Sequence, residues 1–183
     1  MKKNLLTLLF LCITIAAYAQ ETKKQEDEKT FGKNEVKVNL LMGILAMPEI
    51  SYERLFDNNT GIGLSVSLGL DEDIEYKLGF VPHYRIYFGN AKKSSGFFIE
   101  ANAALMQTRE NNYWYAYLDN SGEVKSIDYT RWNVGMGAAA GGKFLTKNGF
   151  IGELSLGVGR FFNRNNDGLE AYPRIGITIG KRF

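Results

Sequence analysis

The chain has 183 residues, among them twenty glycines, twelve phenylalanines, ten tyrosines, three prolines and one cysteine. That is one domain's worth of chain, and 22 basic against 20 acidic residues offer no strongly basic face for nucleic acid. Glycine with aromatics, and no long apolar run after the N-terminal stretch, point to β-structure and exclude helical membrane spans.

Lys2 and Lys3 precede an apolar run from Leu5 to Ala17 that only Thr7 and Thr14 interrupt, and Ala17-Tyr18-Ala19 places small residues where a signal peptidase reads. Residues 1–19 are expected to be a signal peptide cut after Ala19, since the run is shorter than the ~20 residues of a spanning helix. Leu11 before Cys12 argues against a lipoprotein signal, which wants a small residue there. Cleavage would remove the sole cysteine, and with it any disulfide, and would leave 20 basic residues against 20 acidic ones. Residues 20–34 are charged, nearly free of apolar side chains, and expected to form a flexible polar leader.

From Glu35 onward the chain alternates. Val36, Val38, Leu40, Met42 and Ile44 oppose Lys37, Asn39 and Gly43, and Ala46-Met47-Pro48 makes a tight connection to a strand with Ile50, Tyr52 and Phe56 on its apolar side. Ile62, Leu64, Val66, Leu68 and Leu70 alternate with Gly63, Ser65, Ser67 and Gly69, a period of two that marks a strand with one greasy and one small, polar face. The same alternation recurs around Leu78–Phe88, Phe97–Leu105, Trp132–Phe144, Phe150–Val158 and Ile175–Phe183, with turn clusters between. The count is about eight, and residues 35–183 are expected to be an all-β, eight-stranded antiparallel transmembrane β-barrel.

The two faces decide which side is out. Isoleucine, leucine, valine, phenylalanine and alanine fill one. Glycine, serine and asparagine dominate the other, with sparse charges: Lys37, Glu49, Glu53, Arg85, Glu100, Lys143, Glu153, Arg174 and Arg182, plus the only histidine, His83. A soluble barrel would carry many charges on its outward face. Small residues with five cations against four carboxylates instead suit a narrow lumen closed by ion pairs, with Glu100, Glu153, Arg85 and Arg182 at its centre. Turns at 57–60, 90–95 and 146–148 are short, while 70–75, Gln107–Ile127 and Asn163–Glu170 are longer outer connections, Gln107–Ile127 being the longest. Aromatics at strand ends suit the two membrane interfaces: Tyr52, Phe56, Phe88, Phe97, Phe144 and Phe150 at the inner one, Tyr113, Trp114, Tyr115 and Tyr129 towards the outer.

Ending on Ile177-Thr178-Ile179-Gly180-Lys181-Arg182-Phe183, the chain resembles outer-membrane barrel proteins. The resemblance implies that Phe183 is a signal for the barrel-assembly machinery. Through Glu35–Asn39, Pro48–Glu53, Tyr84–Gly89, Gly96–Glu100 and Gly141–Lys143, the chain after its leader also resembles a family of small Gram-negative outer-membrane barrels of unknown function. That implies fold and compartment, and transfers no catalytic residue.

Two motifs fail on their own terms. Gly137 to Lys143 begins like a phosphate loop, but Phe144 stands where Ser or Thr should hold magnesium. Asn163, Asn165 and Asp167 have calcium-loop spacing, but Arg174 replaces the closing glutamate. A single histidine builds no multi-histidine metal site, so no cofactor is expected. His83 is expected to hydrogen-bond a lumen carboxylate. The expected role is a monomeric, non-enzymatic barrel at the outer membrane, surrounded by lipid, with Gln107–Ile127 facing an extracellular partner. The alternatives are a lipid-modifying enzyme built on His83, or a narrow conduit or binder for a small solute.

Overall fold

The computed structural model describes residues 32–56, 59–71, 74–89, 94–118, 124–162 and 171–183. The expected signal peptide with its cut at Ala19, the first twelve residues of the leader, and the outer connection Asn163–Glu170 lie outside them. The described chain folds as β1 (Asn34–Asn39), a short helix α1 (Leu40–Ile44), β2 (Glu49–Leu55), β3 (Thr60–Leu68), β4 (Tyr76–Tyr87), β5 (Gly96–Leu118), β6 (Val124–Leu145), β7 (Phe150–Phe161), β8 (Ala171–Pro173) and β9 (Gly176–Arg182).

Each strand pairs antiparallel with its sequence neighbour from β1 to β7. The eighth stave is built in two pieces, β8 and β9, both on β7. β9 then pairs with β1, matching Glu35 to Arg182 and Lys37 to Gly180. The ring is closed: an all-β barrel of eight antiparallel staves. Closure leaves no open edge around the ring, so the wall's backbone groups find partners in the ladder. Phe183 sits on the seam between first and last strands, where its N–H donates to the Asn34 carbonyl at 2.9 Å and Asn34 N–H returns the bond at 3.1 Å.

Alternation sorts side chains as the period of two requires. Along β3, Ser65 and Ser67 are buried while Leu64 and Leu68 are about half exposed. Glu153 on β7 is 3% exposed and its neighbour Leu154 is 54% exposed. Apolar residues thus clothe the outside and polar ones fill the inside. Glycine on the inner face makes room for side chains from other staves. A Cβ on Gly159 would stand 2.0 Å from the Tyr172 ring, and one on Gly141 would stand 2.6 Å from Phe98.

Two expectations are corrected. The first strand does not run on to Ile44. Leu40-Leu41-Met42 breaks the period of two, and the Asn39 side chain accepts a hydrogen bond from Met42 N–H at 3.3 Å, the N-cap arrangement that starts a helix. Helix α1 turns Met42 inward and leaves Leu40 and Ile44 exposed. The tight connection expected at Ala46-Met47-Pro48 is therefore a helical turn ending at Ala46, whose φ is +56°, followed by the buried Met47.

Secondly, Gln107–Ile127 is not a loop. β5 continues to Leu118 and β6 begins at Val124, paired without interruption from Thr108–Arg131 to Asn112–Ile127 and again at Tyr117–Lys125. β4 leaves β5 after Thr108 and β7 leaves β6 after Gly135, so the last ten residues of β5 form a two-stranded arm. At ~3.4 Å per residue it reaches on the order of 30 Å past the wall. Tyrosine, tryptophan and threonine favour extended backbone, but Gln107–Ile127 shows no apolar period of two by which to recognise a strand.

Candidate functional site

The lumen is layered. Leu55, Tyr87 and Phe98 pack together towards the rim with the short turns, and Val81, Ala104, Met106, Phe161 and Tyr172 cluster towards the rim that carries the arm. Between them lies a network of ions. Every charged position expected inside is buried: Lys37, Glu49, Glu53, Arg85, Glu100, Lys143, Glu153, Arg174 and Arg182.

Glu53 on β2 is the hub. Lys37 on β1 reaches it at 2.5 Å, Arg85 on β4 at 3.2 Å and Lys143 on β6 at 3.4 Å, while Tyr87 donates its hydroxyl to the other carboxylate oxygen at 2.5 Å. Lys143 also donates to the Tyr87 hydroxyl. One carboxylate thus gathers four donors from three staves. Isolated burial of any of these ions would be costly, so each must find a counter-charge or a hydrogen bond within the lumen.

From that hub the network runs both ways. Arg85 bridges Glu153 at 2.8 Å and Glu100 at 2.7 Å, and its guanidinium lies 4.4 Å from the centre of the Phe98 ring. Lys37 joins Glu153 at 3.2 Å. Towards the arm's rim, Arg174 holds Glu100 at 2.7 Å and Glu49 at 2.9 Å, and donates to the Ser65 hydroxyl at 3.0 Å. Asn102 donates to Glu100 at 3.0 Å and accepts from the Tyr172 hydroxyl at 2.7 Å.

The sequence reading missed Glu35. It is fully buried, and it holds Arg182 at 2.6 Å and Lys143 at 2.8 Å. The signal was available, because Glu35 opens the alternating region and shares the parity of Lys37, but it was not counted among the charges of the inner face. With Glu35 included, the described residues place five carboxylates and five cations in the lumen, a balanced set. Of the four residues expected at the centre, Glu100, Glu153 and Arg85 meet around the Arg85 guanidinium. Arg182 instead pairs with Glu35 and donates to the Ser94 carbonyl at 3.1 Å, at the rim with the short turns.

His83 departs from expectation. It is buried at 3% exposure, but its Nδ1 faces the Val81 carbonyl at 3.3 Å, and no carboxylate bonds it. Its Nε2 has no hydrogen-bond partner and points towards Gly63, where a Cβ would stand 2.4 Å away. The ring is held by packing and one backbone contact, outside the ion network.

The family described as protein of unknown function (DUF3575) matches residues 5–176. The chain belongs to that family. No curated protein and no solved structure matches it. The DUF3575 match spans β1 to β8, and nine of the ten lumen ions lie within it, Arg182 alone falling beyond. An eight-stranded barrel with a filled interior is the structure of this DUF3575 chain, and the match assigns it no activity.

The remaining motifs resolve in the same frame. Gly137 to Lys143 is part of β6, with Lys143 committed to Glu35 and Glu53, so no phosphate loop exists there. Among the described residues no group of three or more His, Cys, Asp or Glu could hold a metal ion. The carboxylates face lysines and arginines instead. No described helix is long and apolar enough to cross a membrane, which says nothing of a barrel.

Proposed function

We propose that this protein is an outer-membrane barrel of a Gram-negative cell, exported through a signal peptide cut after Ala19. In this reading it sits in lipid as a monomer with its lumen closed by ion pairs, and presents the β5–β6 arm at the cell surface as an interaction surface. The observation that carries the reading is the inversion of the two faces. Among the described residues ten ions and a histidine are buried inside, while thirty large apolar side chains stand exposed, Leu156 and Val158 at 73% and 62% among them. Water would not tolerate so continuous an apolar exterior on a monomer. A bilayer's hydrocarbon requires it, and requires as well a closed ladder with no free backbone edge.

The rims support it. Tyr52, Phe56, Phe88, Phe97, Phe144 and Phe150 are all exposed near the rim with the short turns, as an aromatic girdle at the inner interface would be. In the same reading Phe183, exposed on the closing seam, is the residue the barrel-assembly machinery takes up. A lipid-modifying role for His83 gains no support from its position, enclosed in the lumen and away from the outer surface. A conduit gains none from a lumen whose ions are paired across it.

The test is fractionation of cells expressing the full chain, followed by electrophoresis of unheated and boiled samples. A chain beginning at Gln20, found in the outer membrane and migrating faster unheated, is the expected result. Soluble periplasmic protein with no heat-dependent mobility would overturn the reading.

A further inference from the structure

The β5–β6 arm differs from the rest of the sheet in having no third strand. β7 makes its last bond to β6 where the Phe162 N–H donates to the Val134 carbonyl at 2.8 Å. Beyond it, among the described residues, β6 runs from Asn133 back to Val124 with β5 on one side and no strand on the other. Across the arm, β4 ends its pairing at Thr108, and the Arg109 N–H donates to the Glu75 carbonyl at 2.6 Å.

Alternation fixes which backbone groups of β6 face outward. The Val134 carbonyl points towards β7, so the N–H and carbonyl groups of Thr130, Asp128 and Ser126 point to that same open side. Those of Arg131, Tyr129 and Ile127 face β5. The Arg109 N–H agrees, since Arg109 stands opposite Thr130 and turns away from it to β4. The two edges of the arm are not alike. On β5, Asn112 to Tyr117 spans the same stretch of ladder as Ile127 to Lys125 on β6, a bulge of the kind that blunts an edge. β6 has no proline from Val124 to Asn133, and its pairing steps evenly there.

We propose that the β6 edge at Ser126–Thr130 takes up an extended segment of another protein as a third strand. The inference rests on the reading of the arm as an interaction surface and names what that surface recognises. A ribbon of two strands with no packed face is marginal in water, and a third strand is what completes it. The edge offers a main-chain donor and acceptor at every second residue, a spacing that another extended backbone repeats and a helix does not. A second copy in the same membrane fits less well. Its arm points the same way, so its β6 would lie parallel. A true twofold along the strands sets equal residues level, where a parallel ladder needs them offset. Its β5 would lie antiparallel, but presents the bulge.

The full mature chain, refolded in detergent and shown to be folded by the heat-shift gel, would be offered to a displayed library of random peptides of about ten residues. The recovered peptides should lose about tenfold in affinity for Asp128→Pro and for Thr130→Pro. Each proline removes an outward N–H and leaves the bonds to β5 whole. Asp128→Ala and Thr130→Ala keep those N–H groups and should bind as the unaltered chain does, which recognition through the side chains would not allow. Asn111→Pro, which removes an outward N–H from β5, should have no effect. Having two proline variants on β6 keeps the test decisive if one fails to fold. A library that yields no binder, binders indifferent to both prolines, equal losses for the alanine variants, or a mass of two chains with no peptide held would overturn the edge assignment while leaving the outer-membrane reading standing. Peptide capture by a chain that fractionates as soluble would overturn the membrane reading alone.

Discussion

Glu153 and Leu154 are neighbours on one strand and face opposite sides of the wall. Glu153 is enclosed, with Arg85 at 2.8 Å and Lys37 at 3.2 Å, while Leu154 stands about half exposed on the outer face. In a water-soluble barrel the two environments would be exchanged. The lesson of the pair is that burial and hydrophobicity are independent here: the buried face carries the ions, held by matched charges between two apolar layers.

The sharpest way to break that comparison is at the hub. Glu53→Ala should take away the counter-charge that Lys37, Arg85 and Lys143 share, leaving each with its remaining carboxylate partners, and cost about 3–5 kcal/mol, the usual loss when one partner of a buried ion network is removed. Urea unfolding of the barrel in vesicles reads this as a lowered midpoint, and an unchanged midpoint would mean the network contributes little. Next comes the outer face. Leu154→Arg should cost about 2–4 kcal/mol in a bilayer if the position lies near its midplane. If Leu154→Arg is harmless while Glu153→Leu stabilises the protein in aqueous buffer, the faces are reversed and the barrel is soluble.

Smaller effects test the fit inside. Gly159→Ala should cost about 1–3 kcal/mol, because its Cβ would overlap the Tyr172 ring and force a buried side chain to shift. A structure of that variant with Tyr172 unmoved would contradict the packing account. Asn39→Ala should cost about 1 kcal/mol through the lost N-cap, and somewhat more if the Ile175 carbonyl, which accepts from Asn39 Nδ2 at 3.0 Å, is left open. Hydrogen exchange at Met42 should rise with it, and unaltered exchange there would refute the capping role.

Much of this was legible in the sequence because a strand repeats with period two and a wall has two sides. That rule alone assigned Lys37, Glu49, Glu53, Arg85, Glu100, Lys143, Glu153, Arg174 and Arg182 to one face, and all are buried together. It failed at the margins of the wall, where the period loses its physical cause. Glu35 abuts a charged leader, α1 interrupts a strand with two adjacent leucines, and the residues of the β5–β6 arm show no period of two.

What the sequence determined by itself was therefore the stave: its two faces and the kinds of side chain each face carries. A side chain's face follows from its own position along a strand, which is local. Which ions meet was decided only by closure. Lys37 and Glu153 are 116 residues apart, and Arg182 and Glu35 are 147 apart. Their meeting depends on the register at which β9 returns to β1 and on the stagger of all eight staves, quantities set by the whole ring at once. The same holds for His83, which parity put inside, where the geometry of the closed lumen gave it a backbone carbonyl instead of a carboxylate.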